Sequence, residues 1–63
     1  MDKYLIRYKK NNRYNKKIIF GYAQAMQKYN DLFLIAQTDS TIKSGSLFFC
    51  ESDQSIPYLL ENF

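Results

Sequence analysis

The apolar run Leu32–Ala36, near the middle of the chain, limits the fold more than any other stretch. Five consecutive apolar residues are too few for a typical helix, and the run is too apolar for a strand with one face in water. It therefore predicts a strand over residues 32–38 that is covered on both faces. Leu47–Cys50 has the same apolar character, so we expect it to pair with this strand.

The N-terminal part of the chain predicts a β-hairpin. Residues 3–10 alternate between two faces as a strand does, and the second arm runs over Tyr14–Phe20. Asn11 and Asn12 lie between the arms, and asparagine tolerates the left-handed backbone conformation that a tight turn requires.

Two registers of this hairpin are compatible with such a turn. A two-residue loop would pair Ile6 with Lys17, whereas a three-residue loop that includes Arg13 pairs Ile6 with Ile18. Apolar cross-strand pairs stabilise a sheet, and a slip of one residue exchanges its two faces. The sequence therefore favours the three-residue loop.

Residues 21–30 predict a helix, because most of them are good helix formers and the first, a glycine, is an acceptable N-cap. Tyr22, Met26 and Tyr29 form its apolar stripe. A rival helix that starts near Asn15 stays open as an alternative, although a β-branched pair and a central glycine disfavour it.

The C-terminal part predicts a bend at Ser44–Ser46 and an acidic loop at Glu51–Ser55. Ser55 is a suitable N-cap for a short final helix over residues 56–63. Residues 1–63 are therefore predicted to form one α+β domain, with a small antiparallel sheet of about four strands. The expected order is ββαββ(α), with one main helix on one face of the sheet.

A chain of 63 residues has a thin core, because it buries only about 60% of the surface that its unfolded form exposes. With one cysteine and no histidine, it forms no internal disulfide and no structural zinc site. We expect a homodimer or a bound partner to stabilise the fold. The second face of the sheet is expected to be covered by the C-terminal segment, by a second molecule, or by both.

Positive charge is concentrated in the first half of the chain. Residues 1–30 contain eight Lys or Arg and one acidic residue, a balance of +7, and residues 31–63 contain one Lys and five acidic residues, a balance of −4. Cations interleaved with tyrosines suit nucleic acid or an acidic protein surface, and a solvated hairpin is the third interpretation. The candidate partner-binding residues are Arg7, Tyr8, Lys9, Lys10, Arg13, Tyr14, Lys16 and Lys17.

Catalysis is not expected, because the chain has no histidine to act as a general base near neutral pH. No cofactor and no metal are predicted, since the acidic loop lacks the ligand spacing of a calcium loop. Cys50 is interpreted as a buried small hydrophobe, because no cation lies near it in the sequence to favour a thiolate.

No apolar run approaches the roughly 18 residues that a membrane span needs, and the N-terminus lacks a signal-peptide core. A cytoplasmic location, in its own cell or a host cell, is therefore expected. The leading hypothesis is a small non-enzymatic protein-binding module, such as a phage- or mobile-element-type inhibitor, that blocks an acidic surface of a larger cytosolic partner. The alternative is a small basic nucleic-acid-binding protein that uses the hairpin on phosphates.

Overall fold

The computed structural model describes residues 2–51 and 56–63, which form one antiparallel sheet and one helix. The elements in chain order are β1 (Lys3–Lys10), β2 (Arg13–Phe20), α1 (Tyr22–Thr38), β3 (Ile42–Cys50) and β4 (Tyr58–Asn62). The strands lie in the order β2-β1-β3-β4, and every neighbouring pair is antiparallel. The predicted α+β class and the order ββαββ are confirmed. The predicted cap at Ser55 and all but the first residue of the predicted acidic loop at Glu51–Ser55 lie outside the described residues.

The hairpin adopts the register that the sequence disfavoured. Ile6 pairs with Lys17, so the predicted three-residue loop is wrong. Asn11 and Asn12 have φ angles of 52° and 64°, which is the left-handed conformation at both central positions of a two-residue turn. The twist of such a turn matches the twist of the strands. The observed register also forms apolar pairs, Leu5 with Ile18 and Tyr4 with Ile19, so it does not lose the cross-strand contacts that favoured the other register.

The predicted strand over residues 32–38 is wrong, because these residues continue α1 as far as Thr38. Leu32 follows Tyr29 by three residues and packs against the core, so the apolar stripe of the helix continues into this run. Phe33 contacts Phe63 at the edge of the core and is 40% exposed. The rival helix from Asn15 is also wrong, since those residues lie in β2. The predicted helix start is confirmed: Gly21 is the N-cap, with a φ angle of 95° that a side chain would disfavour.

The predicted bend at Ser44–Ser46 and the predicted helix over residues 56–63 are both wrong. The three bend residues lie inside β3, and β4 pairs beside it. Just beyond β4, the Phe63 N–H donates to the Gly45 carbonyl at 2.9 Å, and the Gly45 N–H donates to the Phe63 carbonyl at 3.3 Å. Because Gly45 has no side chain, the Phe63 ring packs directly against the sheet at this position.

The core lies between α1 and one face of the sheet, which we call the inner face. Its buried residues are Tyr4, Ile6, Ala25, Tyr29 and Leu47. Of the predicted helical stripe, Tyr29 is buried and Met26 packs partly buried against the core, but Tyr22 is 59% exposed. The 17-residue helix α1 does not meet the length and hydropathy needed to cross a membrane, and the described residues contain no other helix.

Candidate binding surface

The sheet face turned away from α1, which we call the outer face, is uncovered in the described part of the chain. The C-terminal segment does not fold over it, because β4 extends the sheet at its edge instead. Of the two covers that the sequence allowed, the segment over residues 58–62 is therefore excluded for the outer face. Cover by a second molecule stays a prediction.

The outer face carries an apolar row that crosses all four strands. Leu5 pairs with Ile18 on β2 and with Phe48 on β3, and Phe48 pairs in turn with Leu59 on β4. Ile18 is 49% exposed and Leu59 is 54% exposed, whereas Leu5 and Phe48 are half-buried. We call these four residues the outer apolar row. A contiguous exposed row of this kind is typical of a surface that another molecule covers.

A basic cluster borders this row toward the hairpin turn. We call Arg7, Lys9, Tyr14 and Lys16 the basic end of the outer face. The Arg7 guanidinium lies between two rings, 5.6 Å from the centre of Tyr14 and 5.5 Å from the centre of Phe48. The Lys9 ammonium also lies 5.6 Å from the centre of Tyr14. These cation–π contacts hold the two cations against the sheet without neutralising them.

The charges at the basic end are not balanced on this face. Arg7 is directly opposite Lys16, and like charges in that position destabilise a strand pair. The strand positions of the outer face include no acidic residue within the residues that the structure describes, while Lys3 adds a further cation at the other end. An anionic partner would relieve this repulsion.

The structure does not bring the eight predicted partner-binding residues together. Strand alternation places half of them at the basic end and the other half on the inner face. The inner-face residues are Tyr8, Lys10, Arg13 and Lys17. The one-residue error in the predicted register is the reason that Lys16 and Lys17 could not be assigned to the correct faces.

Lys10 and Lys17 have surroundings different from those of the outer face. The Lys10 ammonium lies 3.9 Å from a carboxylate oxygen of Asp39, near the end of α1. Lys17 lines a cleft of about 260 Å³ between the hairpin and α1, together with Ile6, Leu32 and Ile35. A second, open cavity of about 470 Å³ at the hairpin turn is lined by Lys10, Asn11, Arg13 and Asn15.

Hydrogen bonds that involve Asp39 fix the connection between α1 and β3. The Thr41 hydroxyl donates to Asp39 Oδ1 at 2.6 Å, and the Thr41 N–H donates to the same oxygen at 3.0 Å. These bonds, with a smaller contribution from Lys10, lower the pKa of Asp39. Asp39 is therefore a structural acceptor.

Two buried tyrosines and one half-buried cysteine are further titratable groups of the described chain. Within residues 2–51 and 56–63, no three His, Cys, Asp or Glu residues are grouped so that they could hold a metal ion. Burial raises the pKa of Tyr4, and burial with the nearby Glu61 raises the pKa of Tyr29, so both phenols stay protonated. Cys50 is half-buried at the end of β3, opposite Lys3, rather than fully buried.

No protein-family model, no curated protein and no solved structure matches this chain. The outer face is therefore the feature of the molecule that points to a function. Sequence reasoning missed the apolar half of this face, although one signal was present. Leu5 alternates with Tyr4 and Ile6, so β1 is apolar on both faces.

Proposed function

We propose that this chain is a small non-enzymatic protein-binding module whose outer face docks on a larger partner. The observation that carries the proposal is the outer apolar row beside a basic end that has no acidic neighbour among the described strand positions. The partner surface would offer an apolar patch to the row and carboxylates to the basic end. By covering such a surface, the chain would inhibit any activity of the partner that depends on it.

The size of the outer face suits this role. Four strands about 4.8 Å apart, each rising about 3.3 Å per residue, give a face of roughly 20 by 25 Å. A standard interface buries about 800 Å² of accessible surface on each partner, so the outer face would supply the centre of one interface and the surrounding residues its rim. Arg7 and Tyr14 belong to the residue types that contribute most at the centre of interfaces.

Nucleic acid is the second candidate partner, favoured by the absence of acidic residues among the described strand positions of the outer face. The argument against nucleic acid is that the outer face has few aromatic rings whose faces are free to stack on bases. Aliphatic Leu5, Ile18 and Leu59 occupy the row on which bases would stack, and Arg7 already contacts the rings of Tyr14 and Phe48. We therefore place the protein partner first.

Capture of the partner by charge variants tests the proposal. The tagged chain should retain one dominant protein from a lysate of its source cell. Arg7→Glu with Lys16→Glu should weaken that capture about tenfold or more, because both reversals lie at the basic end. Lys28→Glu with Lys43→Glu changes the net charge equally on α1 and near the start of β3, away from the hairpin, and it should leave capture unchanged.

Equal capture by both double variants would overturn the role of the basic end.

Titration with labelled single- and double-stranded DNA and RNA at rising salt tests nucleic acid, the second candidate partner. Micromolar binding whose affinity falls steeply with salt, at a slope that corresponds to the release of several counterions, would favour nucleic acid over a protein partner.

A further inference from the structure

The edge strand β2 is open along its full length. β2 lies at the end of the sheet order and pairs only with β1 in the described chain. Its eight residues pair without a register shift, whereas the opposite edge, β4, has five residues and pairs through a shift. A long regular edge is a template for an added strand.

The two-residue turn fixes which backbone groups of β2 are free. In such a hairpin the residues that flank the turn, Lys10 and Arg13, form a hydrogen-bonded pair, and such pairs alternate along the strands. The backbone N–H and C=O groups of the intervening residues therefore point away from β1. On β2 these residues are Tyr14, Lys16, Ile18 and Phe20.

The charges of β2 select the strand that can pair there. β2 carries three cations, Arg13, Lys16 and Lys17, and no acidic residue. Two copies of β2 side by side would bring six cations together, so pairing with a second copy is disfavoured. A strand with carboxylates is favoured instead, because its charges would neutralise these lysines.

The inner side of this edge also accepts apolar side chains. The cleft of about 260 Å³ lies beside Lys17, with Ile6, Leu32 and Ile35 among its lining residues. On a strand added to β2, alternate side chains point toward α1. The outward residues of that strand would extend the outer face beside Lys16 and Ile18.

From these four features we propose that the partner contributes an extended acidic segment, which adds to β2 as a fifth strand. The inference rests on the proposed function, since it states how the protein partner binds. The added strand would pair with the four free N–H and C=O positions of β2, place carboxylates on the outer face near Lys16, and direct the alternate apolar side chains toward the cleft on the inner face.

A peptide probe tests the inference without knowledge of the partner. The probe is an acetylated and amidated octapeptide of alternating valine and glutamate, equal in length to β2. At about 1 mM peptide, it should slow hydrogen exchange at the amides of Tyr14, Lys16, Ile18 and Phe20, measured by NMR. The same peptide with lysine in place of glutamate should not protect these amides.

A third peptide, N-methylated at each glutamate, separates strand pairing from attraction by charge alone. N-methylation removes the backbone donors but keeps the carboxylates, so protection should be lost. Unchanged amides with the unmethylated glutamate peptide, or equal protection by its N-methylated form, would overturn the inference.

Substitution at Ile18 tests the same inference with the captured partner. Ile18→Pro removes one outward N–H, which an edge strand tolerates, and it should bind the partner about tenfold more weakly than Ile18→Ala. Equal binding by these two variants, with loss in Arg7→Glu/Lys16→Glu, would overturn strand addition and leave the proposed function standing. Retained binding in the charge variant would overturn the proposed function instead. If Ile18→Pro does not fold, the peptide experiment decides.

Discussion

At the scale of single residues, the contact between Gly45 and Phe63 determines how the C-terminus joins the sheet. The Phe63 ring lies 5.9 Å from the ring of Tyr29 and 5.4 Å from that of Phe33, measured between centroids. An added Cβ at Gly45 would lie 2.6 Å from Phe63 Cζ and 3.1 Å from Leu32 Cδ2. Since the ring is held by two others, it has little room to move aside.

Gly45→Ala should therefore lower the free energy of unfolding by about 1–3 kcal/mol, as overpacking of a core does. This loss outweighs the gain of about 0.4–1 kcal/mol that alanine gives by restricting the unfolded chain. Urea unfolding measures the change, and Ser46→Ala at the next position, on the outer face, is the control. Gly45→Ala with Phe63→Leu should lose less than the sum of the single changes. A Gly45→Ala variant as stable as the wild type would contradict the close packing.

Asp39 gives a second prediction at this scale, through the pH dependence of stability. Its pKa lies below the ordinary value of 3.8 in the folded chain, so its contribution is present above that value and is lost as the pH falls through the lower folded pKa. Asp39→Asn should therefore cost more stability near pH 6 than near pH 3. Thr41→Val removes one donor to Asp39. It should also cost more stability near pH 6 than near pH 3, but the difference should be smaller than for Asp39→Asn. An Asp39→Asn cost that is equal at both pH values would refute this role.

At the scale of secondary-structure elements, local signals predicted part of the fold and long-range pairing decided the rest. The spans of β1 and β2 and the start of α1 at Gly21 follow from alternation, turn residues and capping. The run Leu32–Ala36 does not decide between strand and helix, because a short apolar run suits both. In the structure Leu32 packs against the core, while Leu34 is 63% exposed.

The C-terminal strand and the candidate surface also depend on long-range pairing that local sequence signals do not reveal. β4 forms because its residues pair with β3, and no local pattern around Pro57 encodes that contact. The outer apolar row includes Leu59, so this row could not be assembled from sequence. The basic end was predicted in part, since the charges of Arg7 and Lys9 are visible in the alternation of β1 alone.

The hairpin turn gives a prediction at the scale of elements. Asn12 has a φ angle of 64°, which glycine adopts more readily than asparagine and alanine adopts less readily. Asn12→Gly should keep the register and change the free energy of unfolding by less than about 1 kcal/mol, whereas Asn12→Ala should lower it by about 1–2 kcal/mol. Urea unfolding ranks the variants, and NMR contacts between Ile6 and Lys17 report the register. An Asn12→Ala variant that is more stable than Asn12→Gly would contradict the turn.

At the scale of the whole molecule, the open outer face sets up a competition between attraction and repulsion. The outer apolar row favours association with any apolar surface, including that of a second copy. Four cations on the same face, Lys3, Arg7, Lys9 and Lys16, oppose the approach of a second copy. Charge repulsion is screened by salt, whereas apolar attraction is not, so the two forces can be separated by experiment.

We therefore expect the 7.5 kDa chain to sediment as a monomer at low salt and to form a homodimer as the salt concentration rises. The Debye length falls from about 10 Å at 0.1 M to about 3 Å at 1 M, which removes most of the repulsion between the two basic ends. Ile18→Thr with Leu59→Thr should abolish the salt-driven dimer, because it interrupts the apolar row on two strands. Leu34→Thr removes an apolar side chain from α1 that is even more exposed than Ile18 or Leu59, and it should leave the dimer intact. A sedimentation coefficient that does not change with salt, or a dimer that the double variant retains, would show that the outer face does not associate with itself.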